Sequence, residues 1–302
     1  MLPLDSVMVH PDAKEALLRL GRSGTESLMA LYGQLRRKSL VIAQYDTDQL
    51  ASDYAGVHSL SRQQGRHLRS RIGLVHELLA RAPKGMLLDA GCGPGVLVRS
   101  LLASPRHDYS ITVLDQSQAM VNYCVASTRE TGGVRATVGN LETLPFADGT
   151  FDVTLATGSL EYADAKAAIE QLSLVTRQGG VVLISMLNPA NPYRLTEWFL
   201  YWPALRAFSA LQKLLRFRTK RPHGANVTGI RALTATTVRR YMRRAGLVPY
   251  DLVYFDLTPL IPPLDRIPVL QRWSERRSHR SRPTRGLGRW MATGYVIVAT
   301  RE

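Results

Sequence analysis

A glycine-rich stretch, Asp89-Ala90-Gly91-Cys92-Gly93-Pro94-Gly95, ends the apolar run 86–90 and opens onto a helical stretch at Val96. Glycines at alternate positions allow a tight turn and bring bare backbone up to a ligand, with a helix N-terminus behind them. The pattern alone is shared by nucleotide-binding turns and purely structural ones. Two carboxylates sharpen it. Asp89 stands before the loop, where a dinucleotide fold would more often have an apolar residue. Asp115 ends the next apolar run, 20 residues past Gly95, where a carboxylate can accept both hydroxyls of a ribose. An N-cap ahead of Gln116-Ser117-Gln118 is the competing role for Asp115. A phosphate cradle would want Lys or Arg in the first loop, and there is none before Arg99.

These residues need a scaffold, and the hydrophobic pattern supplies one. Residues 11–42 and 58–80 have helical spacing with a polar face, which predicts a helical N-terminal third. From Gly85 the texture changes to short apolar runs at 86–90, 111–114, 134–138, 153–156, 181–186, 252–255 and 295–299, with helical stretches between the first five. Seven strands in this arrangement predict an α/β fold with a doubly wound sheet, the last two strands lying beside each other as a hairpin. Such sheets bind ligands outside the carboxyl ends of their strands, where both carboxylates fall.

The 302 residues contain 45% hydrophobic side chains, enough for a well-formed core, and disordered, collagen-like and disulfide-scaffold classes are excluded. The two cysteines, Cys92 and Cys124, cannot staple a chain of this length, so a reduced, cytoplasmic protein is expected and no metal cluster is on offer. No signal peptide or membrane span is expected either. Net charge is +15, distributed unevenly: +4 over 1–84, −4 over 85–189 and +15 over 190–302. A basic face for phosphate or anionic lipid is one reading of that excess; an Arg-rich solvated surface is the other.

The motifs resemble those of the class I S-adenosylmethionine-dependent methyltransferases. Residues 89–95 are similar to that family's first motif, and Leu114-Asp115-Gln116-Ser117 with Met120 to its second. Gly139-Asn140-Leu141-Glu142-Thr143-Leu144-Pro145-Phe146, followed by Asp148-Gly149-Thr150-Phe151-Asp152, resembles the motif after the third strand, and Arg177-Gln178-Gly179-Gly180-Val181 the turn before the fifth. The resemblance implies a Rossmann-like methyltransferase fold and S-adenosylmethionine as cofactor. It implies that Asp89, Gly91, Cys92, Gly93 and Gly95 form the cofactor loop, with Gly91 and Gly93 facing the methionine part. Asp115 would then hold the ribose, Gln116 and Met120 the adenine faces, and Asn140 and Leu141 the adenine edge. Asn140 departs from the family's usual Asp; an amide both donates and accepts, so an adenine contact survives the change. A sulfonium prefers carbonyls and carboxylates to a positive cradle, and 85–189 is the only net negative segment.

Methyl transfer from a sulfonium is an in-line displacement in which positioning and exclusion of water can supply most of the acceleration, with a base needed only when the acceptor must lose a proton. Glu161 and Tyr162 follow the fourth strand and are expected at the cleft lip, Glu161 as the best candidate base, with helix capping as its alternative role. His58 completes the catalytic candidates, although its place in the N-terminal helices, like that of His67, favours a structural role. Residues 1–84 are expected to form a helical cap or lid, including Tyr45-Asp46-Thr47-Asp48 and Tyr54-Ala55, and 85–302 the methyltransferase domain. Inserts at about 189–229 and 257–289, after the fifth and sixth strands, would cover the substrate. The first begins Asn188-Pro189-Ala190-Asn191-Pro192-Tyr193, superficially like the Asn-Pro-Pro-Tyr motif of amino-methylating enzymes but after the wrong strand. It continues with Trp198, Phe199, Tyr201, Trp202 and Phe208, then Arg216, Arg218, Lys220 and Arg221. That composition suits either an apolar lid or an interfacial element on anionic membrane. The expectation is a methyltransferase acting on a small or lipid-like molecule. An RNA methyltransferase and a non-catalytic S-adenosylmethionine-binding protein are the alternatives; nucleic acid is disfavoured because no appended RNA module and no Pro-Pro-aromatic motif after the fourth strand are present.

Overall fold

The computed structural model describes residues 46–57, 63–104, 108–196, 231–257 and 288–302, with isolated positions at 199–200, 203–204, 267, 269–270 and 272. The expected helix over 11–42, His58 and most of both inserts lie outside the described residues. Among the described residues, two helices, α1 (Asp48–Val57) and α2 (Gln63–Leu79), precede the core. The core follows as β1 (Gly85–Ala90), α3 (Val96–Leu102), β2 (Tyr109–Asp115), α4 (Gln118–Thr128), β3 (Arg135–Val138), β4 (Phe151–Thr157), α5 (Ala165–Val175) and β5 (Thr176–Leu187). After the short α6 (Pro192–Thr196) come α7 (Ala235–Arg244), β6 (Leu247–Leu257), α8 (Gly288–Met291) and β7 (Ala292–Arg301).

The seven strands form one sheet in the order β3-β2-β1-β4-β5-β7-β6. The first five are parallel, and β7 runs antiparallel between β5 and β6, with Ile184 opposite Ile297 and Leu252 opposite that same residue on the other side. The last two strands pair as expected, with β7 lying between β5 and β6. The inner strands read as near-continuous apolar runs because both faces are covered. Alternate residues divide between two cores. Leu87, Val113, Val153, Leu155 and Leu183 meet Leu74, Val75 and Leu79 of α2 and Leu97, Val98 and Leu101 of α3. Leu88, Leu114, Ala156 and Ile184 meet Ile169 and Leu172 of α5 and Val238 and Met242 of α7. Each fully buried Leu or Ile among these contributes roughly 1.5–3 kcal/mol. Edge strand β3 is mostly exposed and carries Arg135.

Polar side chains set where the helices begin. Ser117 accepts from the Met120 amide, Asp164 from the amides of Lys166 and Ala167, and Thr234 from that of Thr237. Each satisfies a backbone donor that the first turn leaves without a partner. The starts at Ser117 and Asp164 lie just after β2 and after the turn that follows β4, so α4 and α5 run back along the sheet from its carboxyl edge.

Candidate active site

The turn after β1 folds onto the end of β2, where the Gly91 and Cys92 amides both donate to the Leu114 carbonyl, at 2.6 and 3.1 Å. Gly91 and Gly95 are required by neighbours. A Cβ on Gly91 would stand 2.3 Å from the Cβ of Ser159, and one on Gly95 2.3 Å from the Sγ of Cys124. Gly93 is different. It has φ +54° and no heavy atom within 4 Å of its Cβ position, so its bare backbone faces open space in the cleft.

Asp115 ties loop to strand. Its Oδ2 accepts from the Gly93 amide at 2.9 Å and its Oδ1 from the Ser117 amide at 3.0 Å. The helix cap is therefore Ser117, and Asp115 holds the loop. Burial pushes its carboxyl up from the ordinary range, against these backbone donors. Behind the loop, Asp89 is 1% exposed, and neither of its oxygens has a hydrogen-bond partner among the described residues. Burial raises its pKa to about 7, opposed by Arg71 and reinforced by Asp115. A buried carboxylate without donors suits a cationic group brought to it.

A cleft collects the predicted residues Gly91, Cys92, Gly93, Asp115, Gln116, Met120, Asn140, Leu141 and Tyr162 along its wall. Gly95 lies behind the loop against α4 and Asp89 beneath it; neither is among the lining residues. Asn140 turns its Oδ1 to the Glu142 amide at 3.0 Å. Glu161 departs from expectation. It sits in the single 3-10 turn Leu160–Tyr162, and that turn sends Tyr162 to the cleft and buries Glu161 beneath it. The Oε1 of Glu161 accepts from the Leu187 amide at 2.9 Å, and its carbonyl from the Arg231 amide at 3.0 Å, linking the β4 turn to the end of β5 and to the approach to α7. Burial raises its pKa, with Arg71 and Arg194 pulling the other way.

Arg71 lines the cleft without having been singled out by the sequence, whereas Tyr54 comes from the segment expected as a lid. Arg71 of α2 reaches in so far that a Cβ on Gly158 would lie 2.2 Å from its Nη1. Tyr54 of α1 also lines the cleft, and Asp46 clamps this segment to α4 by accepting from the Ser117 hydroxyl at 2.9 Å and the Ala119 amide at 3.1 Å. The segment 45–55 carried a visible cluster of Tyr and Asp; nothing in the spacing aimed Arg71. The Asn188–Tyr193 stretch is a structural turn, in which Asn188 donates to the carbonyls of Arg289 and Ala292 and Asn191 accepts from the Tyr193 amide.

A doubly wound sheet with one antiparallel strand beside its edge, and a carboxylate-lined cleft at its switch point, defines a Rossmann-like methyltransferase fold. Residues 87–180 match the family described as a methyltransferase domain. The chain is 29% identical over 170 residues to the malonyl-[acyl-carrier protein] O-methyltransferase of Serratia marcescens, covering 56% of this chain and 62% of that protein. It is 30% identical over 181 residues to the phthiotriol/phenolphthiotriol dimycocerosates methyltransferase of Mycobacterium tuberculosis, covering 59% and 66%. Thus the chain spans less than two thirds of the length of these relatives. A solved S-adenosylmethionine-dependent methyltransferase from Thermotoga maritima shares the fold, with a TM-score of 0.53 at 16% identity over 84% of this chain and 97% of that one. The chain is thus similar over residues 87–180 to methyltransferase domains, and its fold is that of a solved S-adenosylmethionine-dependent methyltransferase.

Proposed function

We propose that the protein is an enzyme that transfers a methyl group from S-adenosylmethionine to a small or lipid-like acceptor. The observation that carries this reading is the set of three adjoining features at the ends of β1 and β2: the bare backbone of Gly93, the Asp115 carboxylate bonded to it, and the buried Asp89 carboxylate with no donor among the described residues. These fit the cofactor. Asp115 would accept from the ribose hydroxyls, Met120, Gln116, Leu141 and Asn140 would hold the adenine, and Asp89 would take the positive charge of the methionine part. Arg71 is suited to its carboxylate. When bound, the cofactor supplies an electrophilic methyl on a sulfonium. The chain's task is then to orient it, with Tyr54 and Tyr162 excluding water from the reacting end.

The names of the similar proteins, one acting on a malonyl thioester carrier and one on a dimycocerosate lipid, support a small or lipid-like acceptor. Peripheral contact with an anionic membrane is the finer proposal. It rests on the +15 of residues 190–302 and on Leu195, Phe199, Leu200 and Trp290, all exposed in the segments that follow β5 and precede β7. None of the described helices is long and apolar enough to cross a membrane. The test of the activity is labelled methyl transfer from S-adenosylmethionine into a fractionated small-molecule and lipid extract. Label entering one fraction supports the reading. Tight cofactor binding with no transfer into any fraction, protein or RNA would leave a non-catalytic cofactor-binding protein, and transfer into RNA alone would replace the acceptor class.

A further inference from the structure

Asn140 stands where the methyltransferase motif usually has Asp, and its surroundings give that difference a direction. It follows β3 in the tight turn 140–143, where two bonds fix it. Its backbone carbonyl accepts from the Thr143 amide at 3.1 Å, and its side-chain Oδ1 accepts from the Glu142 amide at 3.0 Å. A side-chain oxygen closing onto the amide two residues ahead is a local turn open to both Asn and Asp.

The turn settles which end of the amide is which. A backbone N–H can only donate, so the side-chain atom facing Glu142 is the oxygen, and the NH2 group occupies the other end. Turning the amide over would set two donors against each other and leave the Glu142 N–H without its acceptor. Asn140 lines the cleft together with Leu141 and Glu142. Its Nδ2 makes no hydrogen bond among the described residues and is not sealed from solvent. The carboxylate next to it is directed elsewhere, since Oε1 of Glu142 accepts from the Asp164 amide at 2.8 Å, at the start of α5. What the Asn140 side chain can give a ligand in the cleft is therefore a donor. Aspartate in the same turn would keep one oxygen on the Glu142 amide and present the other as an acceptor. Asn in place of Asp thus preserves the turn and inverts the hydrogen-bond polarity of one point on the cleft wall.

Adenine offers partners of both kinds. Its 6-amino group donates, and the ring nitrogens N1 and N7, which flank that group, accept. We propose that Asn140 reads the base of the cofactor as a donor, giving Nδ2–H to a ring nitrogen of the adenine, so that the 6-amino group is not recognised at this position. This rests on the cofactor reading of the cleft. An acceptor at position 140 would select for the amino group, because a base lacking it would leave that acceptor buried and unpaired. A donor incurs no such penalty. It penalises instead a base whose ring nitrogen has been replaced by C–H.

The experiment is calorimetric titration of the intact protein with S-adenosylhomocysteine and three analogues of it, one with hydrogen in place of the 6-amino group, one with the 1-deaza base and one with the 7-deaza base. For the wild type, the 6-desamino analogue should bind within about threefold of the parent, while at least one deaza analogue binds about tenfold more weakly, the loss expected for one hydrogen bond. Asn140→Asp should reverse the preference: the parent should exceed the 6-desamino analogue by about tenfold, and the deaza penalty should shrink. A wild type that loses about tenfold on removal of the amino group overturns the proposal, and so does a wild type that binds both deaza analogues as tightly as the parent. These two results decide the matter alone if the variant does not fold. The same amino-group preference in wild type and Asn140→Asp also overturns it. Failure of the folded wild type to bind S-adenosylhomocysteine at all overturns the cofactor reading itself, and this inference with it.

Discussion

Affinity for S-adenosylmethionine should depend on pH through Asp89. In the folded protein without cofactor, burial holds this carboxyl at a pKa of about 7. Below that value it is a neutral acid, and a cation brought beside it must first expel a proton, at about 1.4 kcal/mol per pH unit. Above it the carboxylate is already formed and affinity levels off. Taking 7 as the free-state value and full ionisation in the complex, the dissociation constant should rise about 25-fold between pH 7.5 and 5.5. At pH 6.5, binding should release about three quarters of a proton from this group. Calorimetric titrations in two buffers of different ionisation enthalpy read both quantities. Asp89→Asn removes the titration; it should weaken binding at pH 7.5 and flatten the pH profile, leaving only the part due to the ligand's own amino group. The sign for stability is opposite. A carboxyl whose folded pKa is raised stabilises the fold most below its unfolded pKa, near 4, and that contribution is lost as pH rises toward 7, so the cofactor-free wild type should melt lower at pH 8 than at pH 5.5 relative to Asp89→Asn. Equal pH profiles for wild type and Asp89→Asn would refute the reasoning, because Asp89 would then not meet the cofactor's charge.

Asp115→Ala should weaken cofactor binding by about 1.5–3 kcal/mol, through loss of charge-assisted hydrogen bonds to two hydroxyls, while circular dichroism shows a retained fold; an unchanged dissociation constant removes Asp115 from the site. Gly93→Val should abolish binding, since a branched side chain would enter the open cleft from a left-handed backbone position; wild-type affinity would contradict the loop assignment. Glu161→Ala should cost about 1–3 kcal/mol in urea denaturation by leaving the Leu187 amide without its acceptor, whereas Glu161→Gln keeps that bond and should leave cofactor affinity within a few-fold; a selective loss of turnover in Glu161→Gln would return this residue to the role of base. Replacing Arg216, Arg218, Lys220 and Arg221 by Gln should weaken sedimentation with anionic vesicles, as should added salt; equal partitioning onto neutral and anionic vesicles would refute membrane contact.

The inner strands were legible because parallel strands covered on both faces are written as unbroken apolar runs, as in 86–90 and 181–186. Their extensions were not. β5 begins at Thr176 and runs through the polar Arg177-Gln178-Gly179-Gly180, a stretch the sequence presents as a turn, with Thr176 still paired to Phe151. β6 begins at Leu247 and passes Pro249 with a register shift before Asp251, an irregularity that accommodates the proline. The loop and Asp115 could be read because their partners are local and fixed by backbone geometry. The choice between Glu161 and Tyr162 could not, since one residue along a 3-10 turn decides which side chain enters the cleft. Arg71 depends on how α2 crosses the sheet. The Arg66–Asp256 and His67–Thr293 contacts join residues 190 and 226 positions apart, a separation that no spacing rule reaches.

The most direct measurement is calorimetric titration of the intact protein with S-adenosylmethionine, repeated in the presence of S-adenosylhomocysteine. A saturable single site, displaced by the demethylated product and weakened by Asp115→Ala, is the predicted result. No heat of binding at protein concentrations of tens of micromolar, with the protein folded, would contradict the assignment of the cleft.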